Sequence, residues 1–469
     1  MTRRDFLKAS AGASLCLLSG CSWDSPVKRK RLNLLLIVSD TLRADHLGSY
    51  GCPLPIGQHM DRLAEGGTVF ENLMSCAPLT AASHASLMTG TYQTRHGILG
   101  NGGRIPEKLV PLAQACREAN YKTAAFISSP VLRSKSLAGI DRGFDIYDQE
   151  LPKMERNRDV PYRDAPTTAA VALKWLQNTG NDPFFLWVHF QEPHGPYEVA
   201  DPRLLEGVGA LDRQPGDPPT LGLLKGNYGQ DGIPRYQVLA EERDPLRYRQ
   251  RYAARIAYVD RYIGEVLAGL NQTELADNTL VALTSDHGEL LGEHRYYFQH
   301  GITVLRPVLH IPLIVSGPGI GRRRVPTLAS NTDIMPTLLE LIGIDSGQLA
   351  SQFQGKSLVP WMNGMGGAQD GPRYAVCERS KECCVMHGGL KYTLTEDSAG
   401  ISGRLVDAQN DPLEERDIAA HDPTAAARLR RLLSAFKEGV PPLSSSGREI
   451  MPSMTEEDRR RLKALGYLN

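Results

Sequence analysis

Four side chains whose types could form a metal site stand in three short segments of the sequence. Thr80 opens the segment 80–90, Asp40 follows an apolar run near the start of the chain, and Asp286 and His287 are adjacent far downstream. A hydroxyl, two carboxylates and an imidazole can together bind one divalent cation. A bound cation lowers the pKa of a ligand, as it does for water. The set therefore predicts metal-assisted attack by Thr80 on a phosphate or sulfate ester.

Apolar runs typical of buried strands precede these residues, at 34–38, 183–190, 279–284 and 311–315. Helical patterns lie between them, the clearest over 248–270. This alternation predicts the α/β class, with a mixed, mainly parallel sheet flanked by helices on both faces. Ligands of such sheets gather beyond the carboxyl ends of the strands. Asp40, His189, Asp286 and His287 are therefore expected to share one site.

The composition is that of an ordinary globular protein. The chain has 469 residues, 41% of them apolar and 23% charged, enough for one large domain and a smaller one. Its 53 basic residues balance 53 acidic ones. Because there is no bulk positive field, we predict no nucleic-acid partner. The sequence does not indicate an oligomeric state.

Residues 1–21 resemble a bacterial export signal. The pair Arg3-Arg4 is typical of twin-arginine export, the apolar stretch 9–18 is too short to span a bilayer, and Cys21 ends a lipoprotein cleavage box. An amphipathic helix with a chance arginine pair is the alternative. We predict an exported lipoprotein anchored to the membrane through lipid on Cys21, periplasmic or on the cell surface, with residues 22–32 as a tether.

In the remaining chain, the pattern of predicted strands and helices changes near residue 345. Residues 33–345 carry the strand and helix pattern, whereas 346–469 have shorter segments, with strands expected at 391–395 and 403–407 and a helix at 424–436. This predicts a smaller C-terminal α+β subdomain. Residues 200–243 are rich in Pro, Gly and charge, and predict either a substrate lid or a plain surface loop.

Six cysteines follow Cys21. An oxidising compartment would permit disulfides among them, but their positions do not define a pairing, and buried free thiols are the alternative.

The segment at Thr80 resembles the signature of the sulfatase family, in which a Cys or Ser nucleophile is followed by Leu at the eighth position and Thr-Gly at the tenth and eleventh. Counting from Thr80 places Leu87, Thr89 and Gly90 in register, whereas counting from Cys76 does not. Further resemblances lie at 33–46, 189–197, 284–294, 331–338 and 405–412. Together they cover most of the chain and imply the alkaline-phosphatase-like fold.

The chain also departs from that family. Members that use formylglycine have Cys or Ser at the nucleophile and Arg four residues on, whereas this chain has Thr80 and His84, which excludes the modification. Thr41 stands at the second Asp of the first motif, and His300 where a Lys is often found. The chain thus resembles the Thr-nucleophile branch of the superfamily, which includes lipoteichoic-acid-synthase-like and phosphoethanolamine-transferase-like enzymes.

The resemblance to this branch implies that one divalent ion is held by Asp40, Thr80, Asp286 and His287. Mixed oxygen and nitrogen ligands favour zinc or manganese, with calcium or magnesium as alternatives. Four other histidines are candidate catalytic residues, for proton transfer to the leaving group or for contact with the anion: His194, His300, His189 and His84. His194 is favoured because it lies in the central motif of the family.

The predicted function is a metal-dependent hydrolase that cleaves phosphate or sulfate esters through a covalent ester on Thr80. The expected substrate is a small molecule or an ester of glycan or lipid. Phosphate mono- or diesters are favoured because formylglycine is excluded. The alternatives are an arylsulfatase-like sulfuric ester hydrolase, a transferase of phospho-alcohol groups onto surface glycan or lipid, and an inactive glycan-binding lipoprotein.

Overall fold

The computed structural model of the protein describes residues 31–155, 160–367, 371–398 and 400–439. At its centre lies a nine-stranded sheet. Eight strands follow one another in the order His310–Ile311, Thr68–Met74, Leu313–Ser316, Thr279–Thr284, Asn33–Ser39, Phe184–Phe190, Lys122–Phe126 and Ile146–Asp148, and Arg323–Ser330 pairs with Thr68–Met74.

The strand Asn33–Ser39 shows why the sheet is covered on both faces. All seven of its residues are buried. Side chains alternate across a strand, so Leu34 and Leu36 enter one apolar core while Leu35 and Ile37 enter another. The first core includes residues of the helices Thr80–Thr89, Leu112–Glu118 and Ile334–Leu341, and the second includes residues of Gln58–Glu65, Ala165–Leu176 and Pro245–Asn271. The predicted α/β class with helices on both faces is confirmed.

The pairing around Asn33–Ser39 is parallel on both sides. Val38 is in register with Thr284 of one neighbouring strand and His189 of the other. The carboxyl ends of the three central strands therefore meet at one edge. Antiparallel pairing begins where Leu313–Ser316 joins Thr279–Thr284, which makes the sheet mixed, as predicted.

The long helix and one predicted strand show how predicted bounds differ from those in the structure. The long helix spans Pro245–Asn271, because Asp244 caps it and accepts a hydrogen bond from the Leu246 amide at 2.9 Å. The predicted strand 311–315 is two strands that end and begin on either side of Pro312, which lacks the amide hydrogen that a ladder needs.

The C-terminal subdomain is an antiparallel sheet with a helix. Its strands Arg373–Cys377, Glu382–His387, Leu390–Asp397 and Gly400–Asp407 pair in sequence order, and residues of the helix Pro423–Lys437 share an apolar cluster with them. The first two strands were missed from the sequence. Buried Lys391 joins this sheet to the larger part of the chain, since its ammonium donates to the Val304 carbonyl while it also contacts both oxygens of Glu414 at 2.8 and 2.9 Å.

The remaining elements are short. Two-stranded ribbons pair Gly103–Arg104 with Leu137–Ala138, Lys153–Met154 with Pro161–Tyr162, Gly222–Leu223 with Gly232–Ile233, and Leu290–Leu291 with Tyr297–Gln299. Single-turn α-helices span Gln93–His96, Arg203–Glu206, Arg306–Leu309 and Val359–Met362. The 3-10 helices are Ala44–His46, Gly48–Tyr50, Pro130–Leu132, Arg235–Gln237, Ala276–Asn278, Glu293–Arg295, Asn331–Asp333 and Gly347–Ser351.

The six cysteines within the described residues carry free thiols, five of them buried. Among the described residues, no helix has both the length and the apolar character needed to cross a bilayer. The predicted signal 1–21 and most of the tether 22–32 lie outside the described residues. The boundary at residue 345 and a lid role for 200–243 stay predictions.

Candidate functional site

Asp40 leaves the central strand directly into the site. Its amide donates to the Phe190 carbonyl at 3.0 Å, which continues the sheet ladder by one residue. The next residue, Thr41, turns the chain away with a φ of 61°. The Asp40 carboxylate is fully buried, and neither oxygen has a hydrogen-bond partner among the described residues. Such a group needs a positive partner.

Asp286 and His287 follow the neighbouring strand and are oriented by the backbone. Asp286 Oδ1 accepts hydrogen bonds from the amides of Thr41 at 3.1 Å and His287 at 2.8 Å. Its Oδ2 is buried and has no partner in the described part of the chain. His287 Nδ1 donates to the Gly288 carbonyl at 2.9 Å. The imidazole is thereby fixed with Nε2 as the nitrogen that faces the other candidates.

Thr80 begins the helix Thr80–Thr89, which ends at Gly90 in the left-handed region with a φ of 65°. Its hydroxyl oxygen lies 3.3 Å from His287 Nε2. Ser83, one turn further along, donates to the Asp286 carbonyl at 2.7 Å and ties the helix to the loop that carries Asp286 and His287. The helix start predicted from the sequence is therefore present, and it places Thr80 beside His287.

Asp40 and Asp286 both contact His287. Asp286 Oδ2 lies 3.6 Å and Asp40 Oδ1 4.0 Å from His287 Nε2. Two ligands about 2.1 Å from a tetrahedral ion lie about 3.4 Å apart. The separations are close to that value, and Asp40, Asp286 and His287 are a group whose ligand atoms lie within 4.8 Å of one another.

His84 and His189 lie against the same carboxylates. His84 Nδ1 is 3.7 Å from Asp286 Oδ2, and His189 Nε2 is 3.8 Å from Asp40 Oδ2. The two rings are 5.2 Å apart, and both are fully buried. With Asp286 they form a second group whose ligand atoms lie within 4.8 Å of one another.

His300 and His194 lie on the side of His287. The His300 ring centroid is 4.5 Å from that of His287, and the His194 ring is 5.1 Å from that of His300. The two rings retain 4% exposure each, against 0% for His84 and His189. Of these two histidines, His300 rather than the favoured His194 has its ring next to His287.

The sequence analysis missed two residues of the site, Glu289 and Asn101. Buried Glu289 accepts from His300 Nδ1 at 3.0 Å and from the Tyr197 hydroxyl at 2.9 Å. Asn101 accepts from the Ala81 amide at 2.9 Å, and its Nδ2 is buried without a partner in the described ranges. Glu289 lies three residues after Asp286, a spacing that could have drawn attention to it. Asn101 gave no comparable signal.

The electrostatics of the site indicate a missing positive charge. Burial raises the pKa of the Asp40 carboxyl well above its ordinary value, and the negative charges of Asp286, Glu289 and Glu192 raise it further. Burial alone would raise the pKa of Asp286 as well, but His287, His84 and His189 hold it below its usual range. A bound cation would favour the ionised form of both carboxylates.

Burial favours the neutral form of three imidazoles in the site. Burial lowers the pKa of His287 to about 4 and that of His189 to about 3, and it also lowers the pKa of His84. A neutral imidazole keeps a lone pair, the form in which histidine binds metals.

Cys76 behaves as expected for a residue outside the chemistry. Its side chain is buried, and burial raises the pKa of its thiol to about 12. The reactive form of a cysteine is the thiolate, so this thiol is inert at neutral pH.

The structure brings together Thr80, Asp40, Asp286 and His287, with His84, His189 and His300 around them. Their roles stay predictions.

The chain is similar in sequence to a known protein family. Residues 32–344 match the sequence model of the Sulfatase family. The choline-sulfatase of Rhizobium meliloti is 26% identical over 431 residues, which cover 82% of each chain.

Two solved structures share the fold. A protein in complex with its substrate D-glucosamine-2-N,6-O-disulfate superposes with a TM-score of 0.73 at 20% identity, covering 89% of this chain and 100% of that one. The phosphonate monoester hydrolase of Agrobacterium radiobacter superposes with a TM-score of 0.66 at 23% identity, covering 87% and 96%. The fold is that of the hydrolases of the alkaline-phosphatase superfamily. Within that superfamily, the chain belongs to the sulfatase family.

Proposed function

We propose that this sulfatase-family hydrolase is a metal-dependent enzyme that cleaves phosphate mono- or diesters with Thr80 as its nucleophile. The observation that carries the proposal is the position of the Thr80 hydroxyl, 3.3 Å from His287 Nε2 at the start of a buried helix. Cys76, the other nucleophile considered from the sequence, is protonated at neutral pH because burial raises the pKa of its thiol to about 12.

The donor set fits a divalent cation. Both oxygens of Asp40 and one oxygen of Asp286 are buried without partners among the residues described, and unpaired buried carboxylates are costly. Asp40, Thr80, Asp286 and His287 would hold the ion. Their mixed oxygen and nitrogen donors favour zinc or manganese over calcium or magnesium. When bound, the ion supplies positive charge that favours a deprotonated hydroxyl and offsets charge on the ester oxygens.

Residues of the chain would carry out the nucleophilic attack, the proton transfer and the binding of the ester. Thr80 Oγ1 loses its proton to solvent and attacks phosphorus, a new O–P bond forms, and the bond to the leaving oxygen breaks. His300, held by Glu289 through Nδ1, donates the proton that the leaving oxygen takes up. Water then attacks phosphorus of the ester on Thr80 and the bond to Thr80 Oγ1 breaks, which releases phosphate from a monoester substrate or a phosphate monoester from a diester. A proton from the attacking water restores the Thr80 hydroxyl. Asn101 Nδ2 is suited to bind an ester oxygen beside the Ala81 amide.

Phosphate chemistry is favoured over sulfate chemistry because Thr80 stands where a formylglycine precursor would be Cys or Ser. Sulfate ester hydrolysis is the second candidate, supported by the similarity to a choline-sulfatase. The similarity to a phosphonate monoester hydrolase supports the first.

A panel of aryl esters tests the choice: phosphate monoester, phosphate diester, phosphonate and sulfate. We expect the wild type to hydrolyse a phosphate ester with the highest kcat/KM, Thr80→Ala to lose that activity, and Cys76→Ala to keep it. Turnover of sulfate alone would contradict the preference for phosphate. Full activity of Thr80→Ala, folded by circular dichroism, would contradict the nucleophile.

We also propose that the protein is an exported lipoprotein, anchored to a bacterial membrane through Cys21. The order of twin arginines, apolar stretch and cysteine supports this location. Surface glycan or lipid esters would then be within reach, and transfer to an acceptor alcohol is the alternative to hydrolysis. Labelled palmitate incorporated into the wild type but not into Cys21→Ser would support the anchor. Equal labelling of both would contradict it.

A further inference from the structure

A cleft of about 480 Å³ lies against the long helix, and none of the predicted metal ligands lines it. One wall is a face of the helix Pro245–Asn271, which contributes Arg255. The loop 191–198 contributes Glu192, and residues of the segment 200–243 also line the cleft. Sites for small molecules have volumes of roughly 300–1,000 Å³, so the cleft has room for a ligand of that size.

The loop 191–198 borders both this cleft and the candidate site. Glu192 lines the cleft, while the ring of His194 lies 5.1 Å from that of His300. The Ser39 hydroxyl donates to the Glu192 carbonyl at 2.7 Å and ties the loop to the end of the central strand. The cleft is therefore a neighbour of the site, but the residues that line it take no part in the hydrolysis proposed above.

Two buried polar atoms at the cleft have no partner among the described residues. Glu192 is 1% exposed; its Oε1 accepts from the Ala165 amide at 3.2 Å, but its Oε2 lacks a hydrogen bond. Arg255 Nη1 donates to the Glu198 carbonyl at 3.1 Å, but its buried Nε is likewise unpaired. The nearest approach of guanidinium and carboxylate, Arg255 Nη2 to Glu192 Oε1, is 3.7 Å, longer than a hydrogen bond. Because unpaired buried groups are costly, the cleft favours a ligand that donates to Oε2 and accepts from Nε.

The lining favours a neutral ligand that carries hydroxyl groups. Its formal charges cancel, with three basic and three acidic side chains: Lys153, Arg251, Arg255, Asp164, Glu192 and Glu198. A hydroxyl group both donates and accepts hydrogen bonds, so neighbouring hydroxyls of one molecule satisfy the carboxylate and the guanidinium together. Tyr162 and Tyr258 also line the cleft, and a tyrosine combines an apolar ring with a polar hydroxyl. A sugar ring has the matching combination of C–H and O–H groups.

We propose that this cleft is a binding site for a sugar ring. One sugar hydroxyl donates to Glu192 Oε2, and a hydroxyl oxygen accepts from Arg255 Nε. Two sources share this chemistry, a free monosaccharide and one unit of a glycan chain. The site goes beyond the proposed function, because binding there requires neither Thr80 nor a metal ion.

The first experiment measures binding to the full chain by saturation-transfer-difference NMR. The probes are D-glucose, D-galactose and N-acetyl-D-glucosamine, each as the free monosaccharide and as a short oligosaccharide. We expect a signal from at least one of them. A signal from monosaccharides would support a free sugar as the ligand, and a signal from oligosaccharides alone would support a unit of a glycan chain. Absence of a signal from every probe would overturn the proposal.

A blocking variant assigns the signal to the cleft. Ala200 is exposed and lines the cleft, so Ala200→Trp should fill its mouth without removing Glu192 or Arg255. Ala210→Trp is the matched control, since Ala210 is exposed in the same segment but does not line the cleft. We expect Ala200→Trp to lose the signal and Ala210→Trp to keep it. Equal signals from these two variants would overturn the assignment to the cleft.

A second variant tests the hydrogen bond to Glu192. Glu192→Gln keeps the shape of the side chain and an acceptor for the Ala165 amide, but it replaces the unpaired acceptor with a donor. Loss of a hydrogen bond to a charged group should weaken the affinity for the sugar by about tenfold or more. Unchanged affinity in Glu192→Gln, folded by circular dichroism, would overturn the contact.

Hydrolysis of an aryl phosphate separates this proposal from the proposed function. A small aryl ester does not need the cleft, so Ala200→Trp should hydrolyse it as the wild type does. An active wild type that binds no sugar would overturn the sugar site alone. A wild type that binds sugar in the cleft but hydrolyses no ester would support the sugar site and contradict the proposed function.

Discussion

The contact between Glu289 and His300 makes a sharp prediction about proton donation. Glu289 is fully buried, and its two oxygens accept from His300 Nδ1 at 3.0 Å and from the Tyr197 hydroxyl at 2.9 Å. The substitution Glu289→Gln keeps the shape of the side chain and one acceptor oxygen but removes the negative charge. In the proposed mechanism His300 donates a proton to the leaving oxygen, and the substitution weakens the charged contact that supports this donation.

The expected size follows from the hydrogen bond. A hydrogen bond to a charged group contributes about 1.5–3 kcal/mol, and each 1.36 kcal/mol is tenfold in rate. The loss in kcat/KM should thus be roughly 10- to 150-fold for an alkyl phosphate, whose leaving group needs the proton. A 4-nitrophenyl phosphate, whose leaving group is stable as an anion, should lose much less. Tyr197→Phe, which removes one partner but no charge, should give a smaller change.

The assay is a comparison of kcat/KM for the two esters in the wild type, Glu289→Gln and Tyr197→Phe. If Glu289 had only a structural role, Glu289→Gln would lower kcat/KM for both esters by the same factor. Equal losses, or no loss for the alkyl ester, would refute the assignment of His300 as the proton donor and Glu289 as its positioning residue.

Three further predictions concern stability. A Cβ at Gly288 would stand 2.1 Å from the Pro307 carbonyl oxygen, so Gly288→Ala should cost about 1–3 kcal/mol in urea unfolding; an unchanged midpoint would contradict the contact. Lys391→Met removes the ion-pair partner of buried Glu414, which among the described residues keeps only the hydrogen bond from the Arg306 amide at 2.8 Å. This should cost up to about 3–5 kcal/mol, whereas the double variant with Glu414→Gln should recover part of the loss; no recovery would argue against the pair. Burial lowers the pKa of His96 to about 3 in the folded protein. Below the ordinary histidine pKa of about 6.5, the unfolded chain therefore binds one more proton than the folded chain. The free energy of unfolding thus falls from about pH 6.5 toward pH 3 by about 1.4 kcal/mol per pH unit. Urea unfolding in chelator at about pH 7 and pH 4.5 should show this decline reduced by about 2–3 kcal/mol in His96→Gln, and identical declines would contradict it.

The sequence predicted the centre of the fold because the central strands carry an unmistakable pattern. The run 34–38 is apolar throughout and is indeed buried on both faces. Its carboxyl end, and that of 279–284, led directly to Asp40, Asp286 and His287. Register counting then selected Thr80 over Cys76, and the structure places Thr80 alone of the two beside His287.

Other features depend on contacts that sequence spacing does not encode. Strands Arg373–Cys377 and Glu382–His387 were missed, because their residues lack strict alternation and owe their burial to the neighbouring strand and helix. Glu289 and Asn101 act through side-chain hydrogen bonds formed across the fold. The choice between His194 and His300 likewise required ring positions.

The central claim is that Thr80 forms a covalent ester with the group that is transferred. The most direct test is to quench the wild type during turnover of a phosphate diester and to sequence the modified peptide by mass spectrometry. The account predicts a phosphorylated or phospho-ester-bearing peptide with the modification on Thr80, absent from Thr80→Ala. Rapid turnover by an enzyme that carries no modification at Thr80, with activity retained in Thr80→Ala, would contradict it.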